Sequence, residues 1–286
     1  MIVIDPAKFA LPLTSQSIRH ICERNFGLGA DGICYGPLNQ TTLKMRFFNP
    51  DGSESLKSGN GLRIFARYVW DYGYVTQRDF SIQITDETIA VEIHDDGGHT
   101  ITTSMGQVSF LSPNIPVKGP TREVIEENTT IKGIHHIITA VTIGNPHCVI
   151  FSDNDDVIEK AQHFGPMIET DSLFPQRTNI QFVQVIDHHT IKIGIWERGA
   201  GFTLASGSSA SAAAATAIQT GRCISPVTVH MPGGTAVVSI TPKWDVTLSG
   251  SVEAVGAGHF ASDFINKLQQ ANLSDKGHPD DLIVYG

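Results

Sequence analysis

The sequence predicts an α+β protein of two similar lobes, each a set of strands wrapped around a central helix. Short β-branched runs separated by polar turns recur along the 286 residues. Two segments show helical spacing of apolar residues behind a Gly/Ser-rich loop, one in each half. Strand, loop, buried helix and further strands follow in the same order both times, so the halves read as relatives. Hydrophobic residues at 41% and 27 glycines give an ordinary globular composition, which excludes a disordered chain and a collagen-like fibre. A chain of this length buries roughly three quarters of its unfolded surface and needs no disulfide or metal to fold.

Ile2-Val3-Ile4 reads as a strand. Ser15 to Phe26 places Ile18, Ile21, Cys22 and Phe26 at helical spacing and stops at Gly27. Strands are expected at Ile33–Tyr35 and Thr42–Phe48. Asn49 to Asn60 is a turn-rich loop opening a second helix, in which Leu62, Phe65, Ala66 and Val69 share one face before Gly73 ends it. Strands follow at 80–94 and 100–110, and Ser112–Pro120 reads as a linker. In the second half, strands are expected at 136–143, 147–151, 180–186 and 190–196. Glu197–Ser209 then leads into an Ala-rich helix, Ala210–Gln219, apolar on every side as befits a helix sheathed by sheet; Gly221 closes it. Further strands are expected at 227–230, 236–241 and 245–249, and the tail from Ser262 to Gly286 reads as loosely packed.

Charge and cysteine usage narrow the function classes. Lys+Arg is 20 against Asp+Glu 29, a net charge of −9. That balance repels a phosphate backbone, and no basic run interleaved with aromatics offsets it, so no nucleic-acid partner is expected. Cys22, Cys34, Cys148 and Cys223 lie far apart with no C-x-x-C, which points to free thiols in a reducing cytoplasm. The start lacks the basic and apolar regions of a signal peptide. No stretch approaches ~18 apolar residues, so no membrane association is expected.

Gly27-Leu28-Gly29-Ala30-Asp31-Gly32 matches G-x-G-x-x-G, yet its order is helix, glycines, strand, the reverse of a dinucleotide site. It reads as a glycine turn. Asp153, Asp155 and Asp156 lack the glycine and distal glutamate of a calcium loop and read as a solvated turn. His135-His136 and His188-His189 sit at strand-like positions, where neighbours face opposite sides, so neither pair converges on a metal. No metal site is expected.

Two loops carry more. Asn49-Pro50-Asp51-Gly52-Ser53 leads to Ser58-Gly59-Asn60-Gly61-Leu62-Arg63, and Glu197-Arg198-Gly199-Ala200-Gly201 leads to Ser206-Gly207-Ser208-Ser209. Either serine alone is an ordinary helix cap. The same arrangement twice, with Ser206 falling 148 positions after Ser58, suggests a paired carboxylate trap built from backbone N–H groups and helix dipoles.

At these loops the chain resembles the diaminopimelate epimerase family, the cofactor-independent amino-acid epimerases of lysine biosynthesis. FGLGADG, FNPDGSE, SGNGLRIFARYV, GNPHCVIF, RTNIQFVQV, ERGAG and MPGG occur in the family's order. The resemblance implies two pseudo-symmetric lobes with the active site in the cleft between them, the first spanning 1–118 joined by 255–286 and the second 119–254. It implies that Asn49, Asn145, Asn179, Glu197 and Arg198 position the substrate, Arg198 through bidentate carboxylate geometry and Glu197 through an ammonium. Backbone N–H groups of Gly59, Asn60, Gly207 and Ser208 would hold the reacting carboxylate and stabilise the carbanion at Cα. The implied partner is a small amino-acid substrate, with no cofactor, and family members are often homodimers.

The resemblance also implies two catalytic cysteines, one on each face of Cα, and their positions here are Ser58 and Ser206. A thiol near pKa ~8.5 can be tuned into a base at a helix N-terminus. A serine hydroxyl carries a handicap of about five pKa units or more, roughly 7 kcal/mol. The family's Gly-Asn-Asp-Phe stretch ahead of Val3-Ile4-Asp5 has no counterpart, and Phe202 stands where many members carry Glu. Ser211 and Ile64 fall where relatives often have Cys. The leading expectation is an amino-acid epimerase or racemase, with Glu54, Lys57 or His147 as a replacement base. The alternatives are a one-base isomerase or eliminase of the same superfamily, or an amino-acid-binding relative without turnover.

Overall fold

The computed structural model describes residues 1–39, 41–55 and 58–275. Their contacts cluster into two units: Met1–His99 with the described residues from Val252 onward, and Thr100–Ser251.

The first unit contains β1 (Ile2–Ile4), α1 (Ser15–Cys22), β2 (Ile33–Asn39), β3 (Lys44–Phe48), β4 (Glu54–Ser55), α2 (Gly59–Asp71), β5 (Asp79–Ile84) and β6 (Glu87–Ile93). Its sheet runs β1-β2-β3-β5-β6, with β4 attached to β3. The pairings alternate: β1 with β2 parallel, β2 with β3 antiparallel, β3 with β5 parallel, β5 with β6 antiparallel. Thr14 caps α1 by accepting from the Ser17 N–H, and the helix buries Ile18, Ile21 and Cys22. It stops at Cys22 rather than Phe26, whose side chain is exposed. In α2, Leu62, Phe65, Ala66 and Val69 are fully buried, as their spacing predicts. Gly61 lets this helix lie on the sheet, since a Cβ there would meet Phe47 Cε1 at 2.3 Å.

The second unit contains β7 (Thr100–Gln107), β8 (Glu127–Ile131), β9 (Ile134–Thr142), β10 (Pro146–Phe151), α3 (Val157–Glu169), β11 (Asn179–Asp187) and β12 (Thr190–Glu197). It continues with β13 (Gly201–Thr203), α4 (Gly207–Gln219), β14 (Val227–Met231), β15 (Gly234–Ile240) and β16 (Asp245–Ser251). Its sheet runs β7-β16-β15-β14-β12-β11-β10-β9-β8, with β13 attached to β12. From β10 to β15 the pairings are again parallel, antiparallel, parallel, antiparallel. A helix again joins the first two strands, and a short strand again precedes the buried helix, so the second unit repeats the first step for step. The alanines of α4 are all fully buried against Val149, Val183, Ile191, Ile193, Val229, Val238 and Leu248. Methyl side chains allow that enclosure because they keep the helix thin.

Four expectations are corrected. Ser112–Pro120 is not a linker: Ser112–Asn114 forms a turn of 3-10 helix, and Ile115 and Val117 are buried in the core of the second unit. His188 and His189 form the turn between β11 and β12 rather than strand positions. Helix α3 has no counterpart in the sequence reading, because Pro166 interrupts an otherwise regular pattern of Val157, Ala161, Gly165 and Ile168. Of the expected loose tail, Ser262–Asp275 forms α5, with Leu268 fully buried beside Ile18 and Ile21, and residues 276–286 lie outside the described residues. Asn272 ties it to α1, accepting from the Thr14 and Ser17 hydroxyls and donating to the Pro12 carbonyl.

The G-x-G-x-x-G segment joins α1 to β2, with Gly29 at φ +76 and Gly32 at φ +143. At Gly32 a Cβ would also meet the Phe48 carbonyl oxygen at 2.6 Å. Geometry alone accounts for those glycines. No described helix is long and apolar enough to cross a membrane. The four cysteines are free and buried.

Candidate functional site

In the first unit the site residues gather around the N-terminus of α2. Asn49 follows β3 and closes a tight turn, its N–H donating to the Ser53 carbonyl at 2.8 Å and its side-chain Nδ2 to Ser53 Oγ at 3.0 Å. Ser58 caps the helix in extended conformation, φ −138 and ψ 114, and its Oγ accepts from the Gly61 N–H at 3.2 Å. Gly59 and Asn60 form the first turn, where N–H groups lack intrahelical partners. Arg63, one turn further, is buried and donates from Nη2 to Asn60 Oδ1 at 2.8 Å. Burial lowers its pKa to about 10, so it stays charged at neutral pH. No described carboxylate pairs with it. That buried cation adds to the positive field of the helix end and fixes the Asn60 amide. The signal for Arg63 in the sequence is its spacing of three from Asn60, which places the two on one face of α2.

The replacement bases fare differently. Glu54 is half-exposed and holds Arg46 in a bidentate pair, Nε to Oε1 at 2.8 Å and Nη2 to Oε2 at 2.6 Å. It is a surface ion pair, not a free base. Lys57 lies outside the described residues.

The second unit builds a continuous polar set. Gly144, at φ +95, makes the turn from β9 to β10, and the Thr142 hydroxyl donates to the Asn145 carbonyl at 3.0 Å. Asn179, first residue of β11, is buried and braces two neighbours: its Nδ2 donates to the Pro146 carbonyl at 2.7 Å, and its Oδ1 accepts from the Arg198 N–H at 3.0 Å. Glu197 pairs with Gly201 across the hairpin of β12 and β13, which leaves Arg198, Gly199 and Ala200 at its tip. Arg198 is exposed and donates from Nη1 to the Gln176 carbonyl at 3.1 Å. Glu197 makes no ion pair with any described residue, so its carboxylate is available to an ammonium group.

Two further polar pairs lie behind these loops. Asn145 Oδ1 lies 2.9 Å from His147 Nε2, and Gln181 donates to Ser209 Oγ at 3.0 Å. Burial, with Gln181 beside it opposing, lowers the His147 pKa to about 3. The imidazole is therefore neutral and carries its proton on Nε2, toward Asn145. His147 Nδ1 and Gln181 Oε1 are buried without a hydrogen-bond partner among the described residues. His147 is thus corrected from replacement base to neutral strut: a group this hard to protonate is a poor proton acceptor at neutral pH.

Helix α4 opens as α2 does. Ser206 is extended at φ −146 and ψ 123, and its carbonyl accepts from the Ala210 N–H at 3.0 Å. Its side chain makes no capping bond; Oγ lies 3.4 Å from Ser208 Oγ. The N–H groups of Gly207 and Ser208 therefore keep their capacity for an outside acceptor.

The chain matches the protein-family model described as diaminopimelate epimerase over residues 1–111 and 139–255. It is 49% identical over 264 residues to diaminopimelate epimerase 2 of a Nostoc strain, covering 92% of each chain. To the diaminopimelate epimerase of Moorella thermoacetica it is 37% identical over 249 residues, 86% of this chain and 89% of the other. Solved structures share the fold at low identity. A PhzF-family phenazine biosynthesis protein of Bacillus anthracis superposes with a TM-score of 0.60 at 15% identity, covering 88% of this chain and 90% of that one. A probable proline racemase of Agrobacterium radiobacter gives 0.63 at 11%, covering 87% and 81%.

Proposed function

The chain belongs to the diaminopimelate epimerase family, and from that membership we propose that it interconverts L,L- and meso-diaminopimelate through the helix ends and hydrogen-bonded loops of its two units. The observation that carries the reading is the second unit's loop cluster, in which Asn179 braces both the Pro146 carbonyl and the Arg198 N–H next to Glu197, and Asn145 faces the buried His147. A guanidinium, a carboxylate with no ion pair among the described residues, and amide groups suit the distal end of a diamino diacid. The N–H groups of Gly59, Asn60, Gly207 and Ser208 suit the reacting carboxylate, and they stabilise the charge that builds on it as the Cα proton leaves.

Ser58 and Ser206 take the acid–base positions in this proposal. The N–H of Gly61 already donates to Ser58 Oγ, which favours its anionic form. That help is small beside a handicap of roughly 7 kcal/mol. We therefore expect slow turnover that cysteine accelerates. The test is deuterium uptake at Cα of L,L-diaminopimelate from deuterated water, in the wild type and in Ser58→Cys with Ser206→Cys. Exchange in the wild type, raised at least a hundredfold in the double variant, supports the proposal. Absence of exchange and of calorimetric binding in both would end it.

A second reading follows from the same serines: binding without turnover, or one-base chemistry with serine as a hydrogen-bond donor. Micromolar binding of diaminopimelate with no exchange selects the former. An ultraviolet-absorbing product from a β-hydroxy amino acid selects the latter. The four free thiols fit a reducing cytoplasm, where we place the protein. We also propose a homodimer, which light scattering of the purified chain tests.

A further inference from the structure

Glu169 is the last residue of α3, and it is buried. The negative end of a helix is an unfavourable place for a carboxylate, and burial adds a desolvation penalty. Three donors hold it nonetheless. Trp196 Nε1 donates to Oε2 at 2.7 Å, the Gly199 N–H donates to Oε1 at 2.9 Å, and Arg177 Nη1 donates to Oε1 at 3.2 Å. Trp196 and Gly199 flank Glu197 and Arg198 directly. Arg177, in the left-handed region at φ +58, begins the segment that reaches Asn179 in two residues. Asn179 in turn accepts from the Arg198 N–H. One carboxylate thus fixes both sides of the Glu197–Arg198 pair and the strand entrance that braces it. Gly165 and Gly194 bring α3 close enough for this: a Cβ at Gly165 would meet Trp196 Cβ at 2.5 Å, and one at Gly194 would meet the Val157 carbonyl oxygen at 2.0 Å.

We propose that Glu169 is a positioning residue for substrate recognition: it clamps the tip of the β12–β13 hairpin so that Glu197 and Arg198 meet the distal amino-acid end of the substrate already oriented. The proposal rests on the reading that this hairpin grips that end. Pre-ordering matters because a loop that must be ordered by the ligand binds it more weakly. A carboxylate is needed because four acceptor lone-pair sites must serve three donors from different directions. An amide offers one carbonyl, and its NH2 opposes a donor.

The test compares wild type with Glu169→Gln in the whole protein. The expected result is a rise of at least tenfold in KM for L,L-diaminopimelate with kcat changed less than threefold. Backbone hydrogen exchange should quicken at least tenfold over residues 197–201 and stay unchanged across α4. Lys192→Met, which removes only the surface pair with Asp155, should leave both readouts as in wild type. Trp196→Phe removes one donor and keeps the ring; a threefold rise in KM with partial loosening is expected, and it serves as the test should the Gln variant misfold. An intact fold with unchanged KM and unchanged exchange at 197–201 overturns the proposal, as does an equal fall in kcat and stability with no change in KM. If the wild type neither binds nor turns over diaminopimelate while exchange at 197–201 still quickens in the Gln variant, the clamp stands and the substrate reading falls.

Discussion

His147 shows what burial does to a single side chain. Its ring is fully enclosed and its pKa falls to about 3 from the ordinary 6.5. Between those values the unfolded chain binds the proton and the folded chain does not, so unfolding free energy rises with pH across that window. The slope is up to about 1.4 kcal/mol per pH unit. The contribution is fully present above the unfolded value and is lost as pH falls toward the folded one. Urea unfolding of His147→Asn, followed from neutral pH down to about 4, should therefore show a shallower loss of stability than wild type. Parallel profiles would mean that the ring is not held neutral by the fold.

At the scale of the element, α2 and α4 share a sequence pattern and an entry geometry, but their caps work differently. Ser58 satisfies the Gly61 N–H, whereas Ser206 satisfies no backbone donor. Ser58→Ala should cost about 1 kcal/mol of stability, as lost caps do, and Ser206→Ala should cost less than about half of that. Chemical denaturation of the two variants decides it, and equal losses would show that the caps are equivalent. Helix α3 is placed by close approach rather than by capping. At Gly194→Ala the new Cβ would meet backbone, which cannot rotate away, so a loss of about 3 kcal/mol is expected from overpacking. A change below about 1 kcal/mol would show that α3 can lift off β12 freely.

For the whole molecule, the repeat is one of topology, β1 to β6 with α1 and α2 matching β10 to β15 with α3 and α4, and it explains which elements are legible in the sequence. Strands with β-branched runs and the two helices with glycine-serine mouths announce themselves locally, so Ser58 and Ser206 were placed at helix mouths correctly. Helix α3 was missed because Pro166 breaks its pattern, although α1 at the equivalent step of the first unit pointed to it. The C-terminal helix was misjudged because its amphipathic stripe is weak and its importance lies in its partner. Leu268 completes the cluster of Ile18, Ile21 and Ile33 across nearly the whole length of the chain. Leu268→Ala should therefore cost about 2–5 kcal/mol and speed exchange in α1. Unchanged protection of α1 would show that α5 is dispensable.

Family membership, the glycine-serine helix entries and the apolar face of each buried helix follow from the order of residues alone, because spacing, capping and chain reversal are local properties. The clamp at Glu169, the neutrality of His147 and the buried charge of Arg63 do not. Each depends on which groups from distant segments share one dry space, and there a carboxylate, an imidazole or a guanidinium takes its character from its surroundings rather than its neighbours in sequence.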